Sequence, residues 1–286
     1  MNLKELKSQF LKELSGIYPS EEVQSFFNIL SEYFLNYTRL DTALKSAEII
    51  SEEHQEQFQK ATLRLKKFEP IQYIIGETEF YGLPFKVTPA TLIPRPETEE
   101  LVQWIVDEYQ EVSQNEPLHF LDIGTGSGCI AIALAHSVPQ AHVSAIDFSP
   151  KALEIAARNA QLNQTSINFF EFDVLKNKEL PLKYDVIVSN PPYVRELEKK
   201  MMQPNVLSFE PDSALFVSDE DPLLFYRKIA ELGEQYLTLN GRLFFEINEY
   251  LSKELIELLT AIGFSKIIVR EDIFGKKRML SCKLLA

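Results

Sequence analysis

Tyr184-Asp185-Val186-Ile187-Val188-Ser189-Asn190-Pro191-Pro192-Tyr193 joins a short apolar run to a pair of prolines. The run is continuous rather than alternating and rich in β-branched residues, as a parallel strand buried on both faces requires. Two consecutive prolines have no N–H to give a sheet ladder, so the strand must end there. Asn190 is thereby held just beyond a strand's carboxyl end, where open α/β sheets keep their ligands. The prolines restrict the local backbone and present the Asn190 amide and its neighbouring carbonyls with little freedom. An Asn oxygen and a backbone carbonyl can each accept one hydrogen of a flat NH2 group. Asn-Pro alone would read as a strand-ending loop with a polar cap; Asn-Pro-Pro-Tyr after such a strand reads as a site.

Around this strand the pattern alternates. Strands are expected at 118–123, 142–147, 167–173 and 241–247, with helices at 129–137, 150–162, 223–239 and 251–262. Repeated βα units imply a parallel, doubly wound sheet. The last two runs, 266–270 and 279–285, have only a loop between them and read as an antiparallel pair. Pro96 suits the first position of a helix whose first turn carries Glu97, Glu99 and Glu100, and which runs toward Val112.

The first βα turn is Asp122-Ile123-Gly124-Thr125-Gly126-Ser127-Gly128. Its glycines let the backbone turn sharply and approach a ligand closely. The loop is not a dinucleotide fingerprint, because Cys129 stands where a third glycine would fall, and it lacks the Lys-Ser/Thr of a phosphate-binding P-loop. Asp147 closes the second strand, where nucleoside-binding folds keep an acid for ribose hydroxyls. Capping the next helix is the plainer role for that acid, although Ser149 and Pro150 already provide a cap and a first-position proline. Asp173, with Val174 after it, closes the third strand, where a carboxylate can meet an exocyclic amine while the aliphatic side chain covers the ring.

Residues 1–69 show only helical periodicity. Leu3, Leu6, Phe10 and Leu14 share one stripe, and Val23, Phe26, Phe27, Leu30 and Phe34 another. Ser20 is expected to cap the second helix, Asp41 or Thr42 to open a third, and Ser51 a fourth running to about Phe68. After the break at Glu69-Pro70 come three β-prone runs, at 72–76, 79–87 and 93–96, which suggest a hairpin linking two domains. The expected division is a helical domain at 1–69, a hairpin linker at 70–95 and a catalytic domain at 96–286. Met1 to Phe10 mixes lysines with leucines, unlike a signal peptide, and no apolar run approaches the ~20 residues that span a bilayer. Cys129 and Cys282 have no metal-ligand spacing, which fits a reduced cytoplasm. A net charge of −13 makes the chain a poor candidate for gripping a phosphate backbone.

Taken together, the glycine loop, the acids at 147 and 173 and the Asn-Pro-Pro-Tyr resemble a class I S-adenosylmethionine-dependent methyltransferase. More narrowly, the chain resembles the release-factor glutamine methyltransferases, the HemK/PrmC family. That likeness rests on Glu69-Pro70-Ile71-Gln72-Tyr73-Ile74-Ile75-Gly76, Phe80-Tyr81-Gly82, Leu92-Ile93-Pro94-Arg95-Pro96-Glu97-Thr98-Glu99, Glu210-Pro211, Phe225-Tyr226 and the stretch from Asp272 to Arg278. The chain departs from the family's pattern over 216–222, which lacks the usual glycines, and at Asn248, where a glycine is usual.

The resemblance implies a Rossmann-like α/β fold and methyl transfer to the glutamine of the Gly-Gly-Gln loop of peptide chain release factors, modulating translation termination. It implies S-adenosylmethionine as methyl donor, S-adenosylhomocysteine as product, no metal, and a monomer in the cytoplasm. Gly124, Thr125, Gly126, Ser127, Gly128, Asp147, Asp173, Val174 and Asn190 would then bind the cofactor. Asn190, Pro191, Pro192 and Tyr193 would bind the glutamine, with Asn190, Pro191 and Tyr193 nearest the chemistry. Arg95, Glu97 and Thr98 border the expected pocket, although helix capping also accounts for Glu97 and Thr98. Two other readings stand beside this one. A nucleic-acid methyltransferase acting on adenine N6 or guanine N2 would need an electropositive cleft, but Lys199 and Lys200 are interleaved with Glu196 and Glu198. A non-catalytic binding module would have no physical need for the glycines or Asn190.

Overall fold

The computed structural model describes residues 1–111 and 117–284. The chain divides into two compact units, Met1–Gly76 with Gln203–Phe209, and Glu77–Met202 with Glu210–Ala286.

The first unit is helical: α1 (Leu3–Leu14), α2 (Ser20–Leu35), α3 (Arg39–Leu44), α4 (Glu52–Leu65) and α5 (Ile71–Ile75). The expected stripes face inward, with Leu3, Leu6, Phe10 and Leu14 meeting Val23, Phe27 and Leu30 and, from α4, Phe58, Ala61 and Leu65. Ser51 caps α4 through the His54 amide at 3.2 Å, as its position suggests. Other boundaries move. Ser20 makes no cap; α2 is entered from extended Pro19, and Ser20 is its first helical residue. α3 opens before Asp41, because the Thr38 hydroxyl accepts from the Asp41 amide and the Asp41 carboxylate accepts from the Thr38 amide. α4 stops at Leu65 rather than Phe68, whose φ of 64° is left-handed. The 72–76 run is not β-structure: Ile71–Ile75 forms a helical turn after Pro70, closed by Gly76 at φ 76°. So short an apolar run carries no period that separates strand from helix.

The second unit starts with an antiparallel hairpin, β1 (Glu77–Phe80) and β2 (Leu83–Lys86). Tyr81 and Gly82 both have positive φ, the two-residue turn whose twist suits a hairpin. The run at 93–95 forms no strand and leads into α6 (Pro96–Tyr109), with Pro96 in the first turn as expected. The helix stops at Tyr109, with Gln110 and Glu111 in a turn, short of the expected run toward Val112, which itself lies outside the described residues. Then follow β3 (Leu118–Ile123), α7 (Cys129–Ser137), β4 (Ala141–Asp147), α8 (Pro150–Leu162), β5 (Ile167–Glu171) and β6 (Tyr184–Ser189). A two-residue parallel pair, β7 (Val194–Arg195) and β8 (Phe216–Val217), brackets α9 (Pro204–Phe209), which belongs to the helical unit, and α10 (Asp212–Leu215). The chain closes with α11 (Leu224–Tyr236), β9 (Leu237–Glu246), α12 (Ser252–Ile262), β10 (Phe264–Glu271) and β11 (Lys277–Leu284).

The sheet order is β10-β11-β9-β6-β3-β4-β5. Strands β5, β4, β3, β6 and β9 are parallel, and β11 runs antiparallel between β9 and β10. This is the expected mostly parallel, doubly wound sheet with an antiparallel last strand. Several limits differ from expectation. β5 ends at Glu171, so Asp173 lies beyond it; β9 begins at Leu237, which already pairs with Tyr184, so α11 ends at Tyr236; and the last two strands are longer than expected, with Leu285 outside the described residues. The continuous β6 run feeds two cores: Val186 and Val188 pack with α6 and α7, and Ile187 with α11 and α12, as does Tyr184 across an irregularity in the β6–β9 register. Burial on both faces explains why that run does not alternate.

Candidate active site

The chain builds outward from β3 to β4 and β5, then returns to β6 on the other side of β3. At such a switch point the loops leaving the two strands diverge and open a crevice at their carboxyl ends. The glycine loop leaves β3 and Asn-Pro-Pro-Tyr leaves β6, so the two sequence motifs flank the same crevice. Ser189 pins the strand ends together by donating to the Ile123 carbonyl at 2.7 Å.

Within the glycine loop the three glycines do different things. Gly124 and Gly126 have φ of 75° and 56°, and a Cβ on either would enter open space. They leave room for a ligand against the backbone. Gly128, at φ 84°, would put a Cβ 3.0 Å from Ile132 and 3.1 Å from Ala156, so it serves the close approach of α7 to α8. The loop is anchored to β4 by the Gly124 and Thr125 amides on the Ile146 carbonyl and by the Gly126 amide on Asp147 Oδ2 at 2.9 Å. Asn159, fully buried on α8, donates to the Ser127 and Lys86 carbonyls. Sequence reading gave Asn159 no role, since nothing in a helical pattern marks a buried amide.

Asp122 sits beneath the loop, buried, with Oδ2 accepting from the Thr125 hydroxyl at 2.6 Å and Oδ1 without a partner. Burial pushes its carboxyl up to about 7. Asp147 ends β4 as expected, and burial raises its carboxyl too. Its oxygens each accept one backbone amide, from Ser149 and Gly126, which leaves lone pairs for a ligand's hydroxyls. Asp173 stands two residues past β5, in a turn where Oδ1 accepts the Leu175 amide and Oδ2 pairs with Lys176 at 2.8 Å. The Lys176 ammonium holds that carboxyl below its ordinary value. Val174 packs partly into the core beside it. Phe148, half exposed after Asp147, is a large aromatic that sequence reading passed over; its signal was its place after a strand-end acid.

On the other wall, Asn190 Nδ2 donates to Thr98 Oγ1 at 3.3 Å. Thr98 donates in turn to Glu246 Oε2 at 2.5 Å, and Tyr193 Oη to Glu246 Oε1 at 2.8 Å. Thr98 and Glu246 are each only 2% exposed. Burial raises the Glu246 carboxyl; desolvation, with Glu246 beside it, holds the Tyr193 phenol well above its ordinary value. Thr98, read as a residue that borders the pocket or caps a helix, thus touches Asn190 directly. Glu246 was assigned no function from sequence. Asn248, the departure from the family's glycine, is fully engaged: it donates to the Tyr193 carbonyl and to Glu198, and accepts from the Tyr250 amide. Arg95 pairs with buried Glu210 at 2.5 Å and fixes the approach to α6. Among the described residues no group of three or more His, Cys, Asp or Glu side chains could hold a metal ion, and no helix is long and apolar enough to cross a membrane.

The sheet order and the motifs at its switch point define a class I methyltransferase. A methyltransferase small domain matches residues 109–208, and a PrmC N-terminal domain matches residues 5–76. Solved structures with the same fold include a methyltransferase from Pyrococcus furiosus (TM-score 0.52, 17% identity, 82% of this chain and 98% of that one). Another is the human methyltransferase 10 domain containing protein (TM-score 0.52, 20% identity, 71% and 90%). In sequence, the chain is 50% identical over 280 residues to the release factor glutamine methyltransferase of Flavobacterium psychrophilum, covering 98% of each. To that of Bacteroides thetaiotaomicron it is 45% identical, covering 94% of this chain and 96% of the relative. The chain belongs to the release factor glutamine methyltransferase family.

Proposed function

We propose that this enzyme methylates the side-chain amide nitrogen of the glutamine in the Gly-Gly-Gln motif of peptide chain release factors, in the cytoplasm. The observation that carries the reading is the Asn190 amide, held by its nitrogen across a crevice from an open glycine cradle. The residues present suit S-adenosylmethionine. Gly124 and Gly126 leave backbone open to it, Asp122 offers a buried carboxylate oxygen with no partner to a cationic ligand, and Asp147 keeps acceptor capacity for ribose hydroxyls. Thr125, Ser127 and Val174 complete that wall, Gly128 supports it from behind through the packing of α7 on α8, and Phe148 offers an aromatic face to the base. Asp173 is the weaker contributor, since Lys176 already engages it.

S-adenosylmethionine supplies an electrophilic methyl on a sulfonium. An amide nitrogen is a poor nucleophile because its lone pair is delocalised into the carbonyl. Asn190 Oδ1 and the Pro191 carbonyl accept the two hydrogens of the glutamine NH2, aim the nitrogen, and favour the positive charge that develops there. Pro192 and Tyr193 shape the surface against which the glutamine packs. No side chain is assigned as general base; the proton leaves to water. The helical unit is proposed to help seat the release factor, supported by Leu40 and Leu44, one turn apart on α3 and 68% and 74% exposed.

The test offers labelled S-adenosylmethionine with purified release factor, DNA or RNA. Label on the release factor alone is expected; label on a nucleic acid alone would overturn the reading.

A further inference from the structure

Glu246 ends β9, the neighbour of β6 in the sheet, where Ser189 pairs with Phe245. The register therefore places Glu246 level with Asn190, one residue past each pair. Each carboxylate oxygen of Glu246 holds a different donor: Oε2 takes the Thr98 hydroxyl, and Oε1 takes the Tyr193 hydroxyl. One buried side chain thus braces both ends of Asn-Pro-Pro-Tyr, Tyr193 directly and Asn190 through Thr98. Tyr226 holds the backbone of the brace by donating to the Glu246 carbonyl at 3.1 Å.

A hydroxyl has one hydrogen to give, and Thr98 gives its hydrogen to Glu246. Toward Asn190 it can only accept, so it selects the NH2 end of that amide and rejects the oxygen end. The two ends of an Asn amide are nearly the same shape, and a flip of 180° would present donors to the acceptor glutamine instead of an oxygen. Packing alone does not distinguish these states; a polarised hydroxyl does.

We propose that Glu246 and Thr98 are positioning residues for methyl transfer: the Glu246 carboxylate polarises Thr98, and Thr98 locks the Asn190 amide with Oδ1 toward the acceptor nitrogen. This rests on the proposed acceptor being a primary amide, and it adds residues that touch neither cofactor nor acceptor. No bond to either reactant is required of them. Tyr193, held by the same carboxylate, keeps the loop's far end in register with Asn190.

The experiment measures steady-state methylation of intact release factor by the full-length parent, Thr98→Ser, Thr98→Val and Glu246→Gln, together with S-adenosylmethionine affinity by calorimetry and thermal unfolding of each. Thr98→Ser keeps the hydroxyl and is expected to retain kcat within about threefold. Thr98→Val keeps the shape and loses the hydroxyl; kcat is expected to fall tenfold or more, with cofactor affinity within about twofold of the parent. Glu246→Gln still offers an oxygen to Thr98, and its kcat is expected to stay above that of Thr98→Val. A Thr98→Val enzyme that turns over within twofold of an active parent would overturn the inference and leave the proposed reaction standing. Equal losses in Thr98→Ser and Thr98→Val would also overturn it, since size and not the hydroxyl would then matter. A parent that methylates no release factor would overturn the proposed reaction, and this inference with it.

Discussion

Asn190 shows how much one residue can disclose in a sequence and how much it cannot. Its place was legible because two prolines mark the end of a β-branched run, and few other features do that. Its partners were not legible. Thr98 and Glu246 lie 148 residues apart in the chain, and each has an adequate local account, as a first-turn residue of α6 and as the last residue of a strand. The sheet register sets Glu246 beside Asn190, and α6 brings Thr98 to both. Replacing Asn190 by Ala is expected to cut kcat on release factor by about a hundredfold or more, in the range seen for losing one preorganised polar contact to a developing charge. Cofactor affinity should stay within a few-fold, as calorimetry would show. Asp122 couples the stability of the fold to pH. Burial lifts its carboxyl to about 7, so the folded chain keeps a proton that the unfolded chain releases from about pH 4 upward. Its contribution to stability is therefore present at low pH and lost as pH rises through that window, at up to about 1.4 kcal/mol per pH unit. Asp122→Asn should flatten that part of the stability–pH curve in denaturant titrations. A cationic ligand favours the charged carboxylate, so S-adenosylmethionine affinity should rise between pH 6 and 8 in the parent and lose this dependence in the variant.

Elements were legible where period and chemistry agreed. The alternation of apolar strands with helices identified the sheet, and the apolar stripes of α1 and α2 are the faces that meet in the helical core. Boundaries failed where two residues compete for one role. Ser20 has capping chemistry, yet Pro19 already supplies the extended entry to α2, and the start of α3 was set by Thr38 rather than by the acid that answers it. α5 failed for another reason, because a five-residue apolar run shows no period. Gly128→Ala combines a left-handed φ with contacts of 3.0 and 3.1 Å to Ile132 and Ala156, and should cost stability by about 2–5 kcal/mol. Gly126→Ala meets open space and carries only the backbone penalty, about 1–2 kcal/mol. Its larger effect should be on cofactor affinity, because its methyl would stand in the cradle. Chemical denaturation beside calorimetry separates the two; equal affinity losses would contradict the division of labour between these glycines.

Across the whole molecule, the class of fold and the family were both readable, since the motifs lie at the carboxyl ends of strands that the topology places side by side. The assignment of Gln203–Phe209 to the helical unit was not readable, because a six-residue helix between two-residue strands carries no sign of where it will pack. If the helical unit seats the release factor, Leu40→Asp with Leu44→Asp should raise KM for intact release factor several-fold and leave cofactor affinity unchanged. An unchanged KM would remove α3 from that surface. The central claim is chemical and local: one amide nitrogen of one motif receives the methyl. Its most direct test is to incubate the enzyme with S-adenosylmethionine and intact release factor, beside a release factor whose Gly-Gly-Gln glutamine is alanine, and locate the methyl by peptide mass spectrometry. A methyl on that glutamine and none on the alanine protein is the expected result; a methyl on both, or at any other residue, would contradict this assignment of the acceptor.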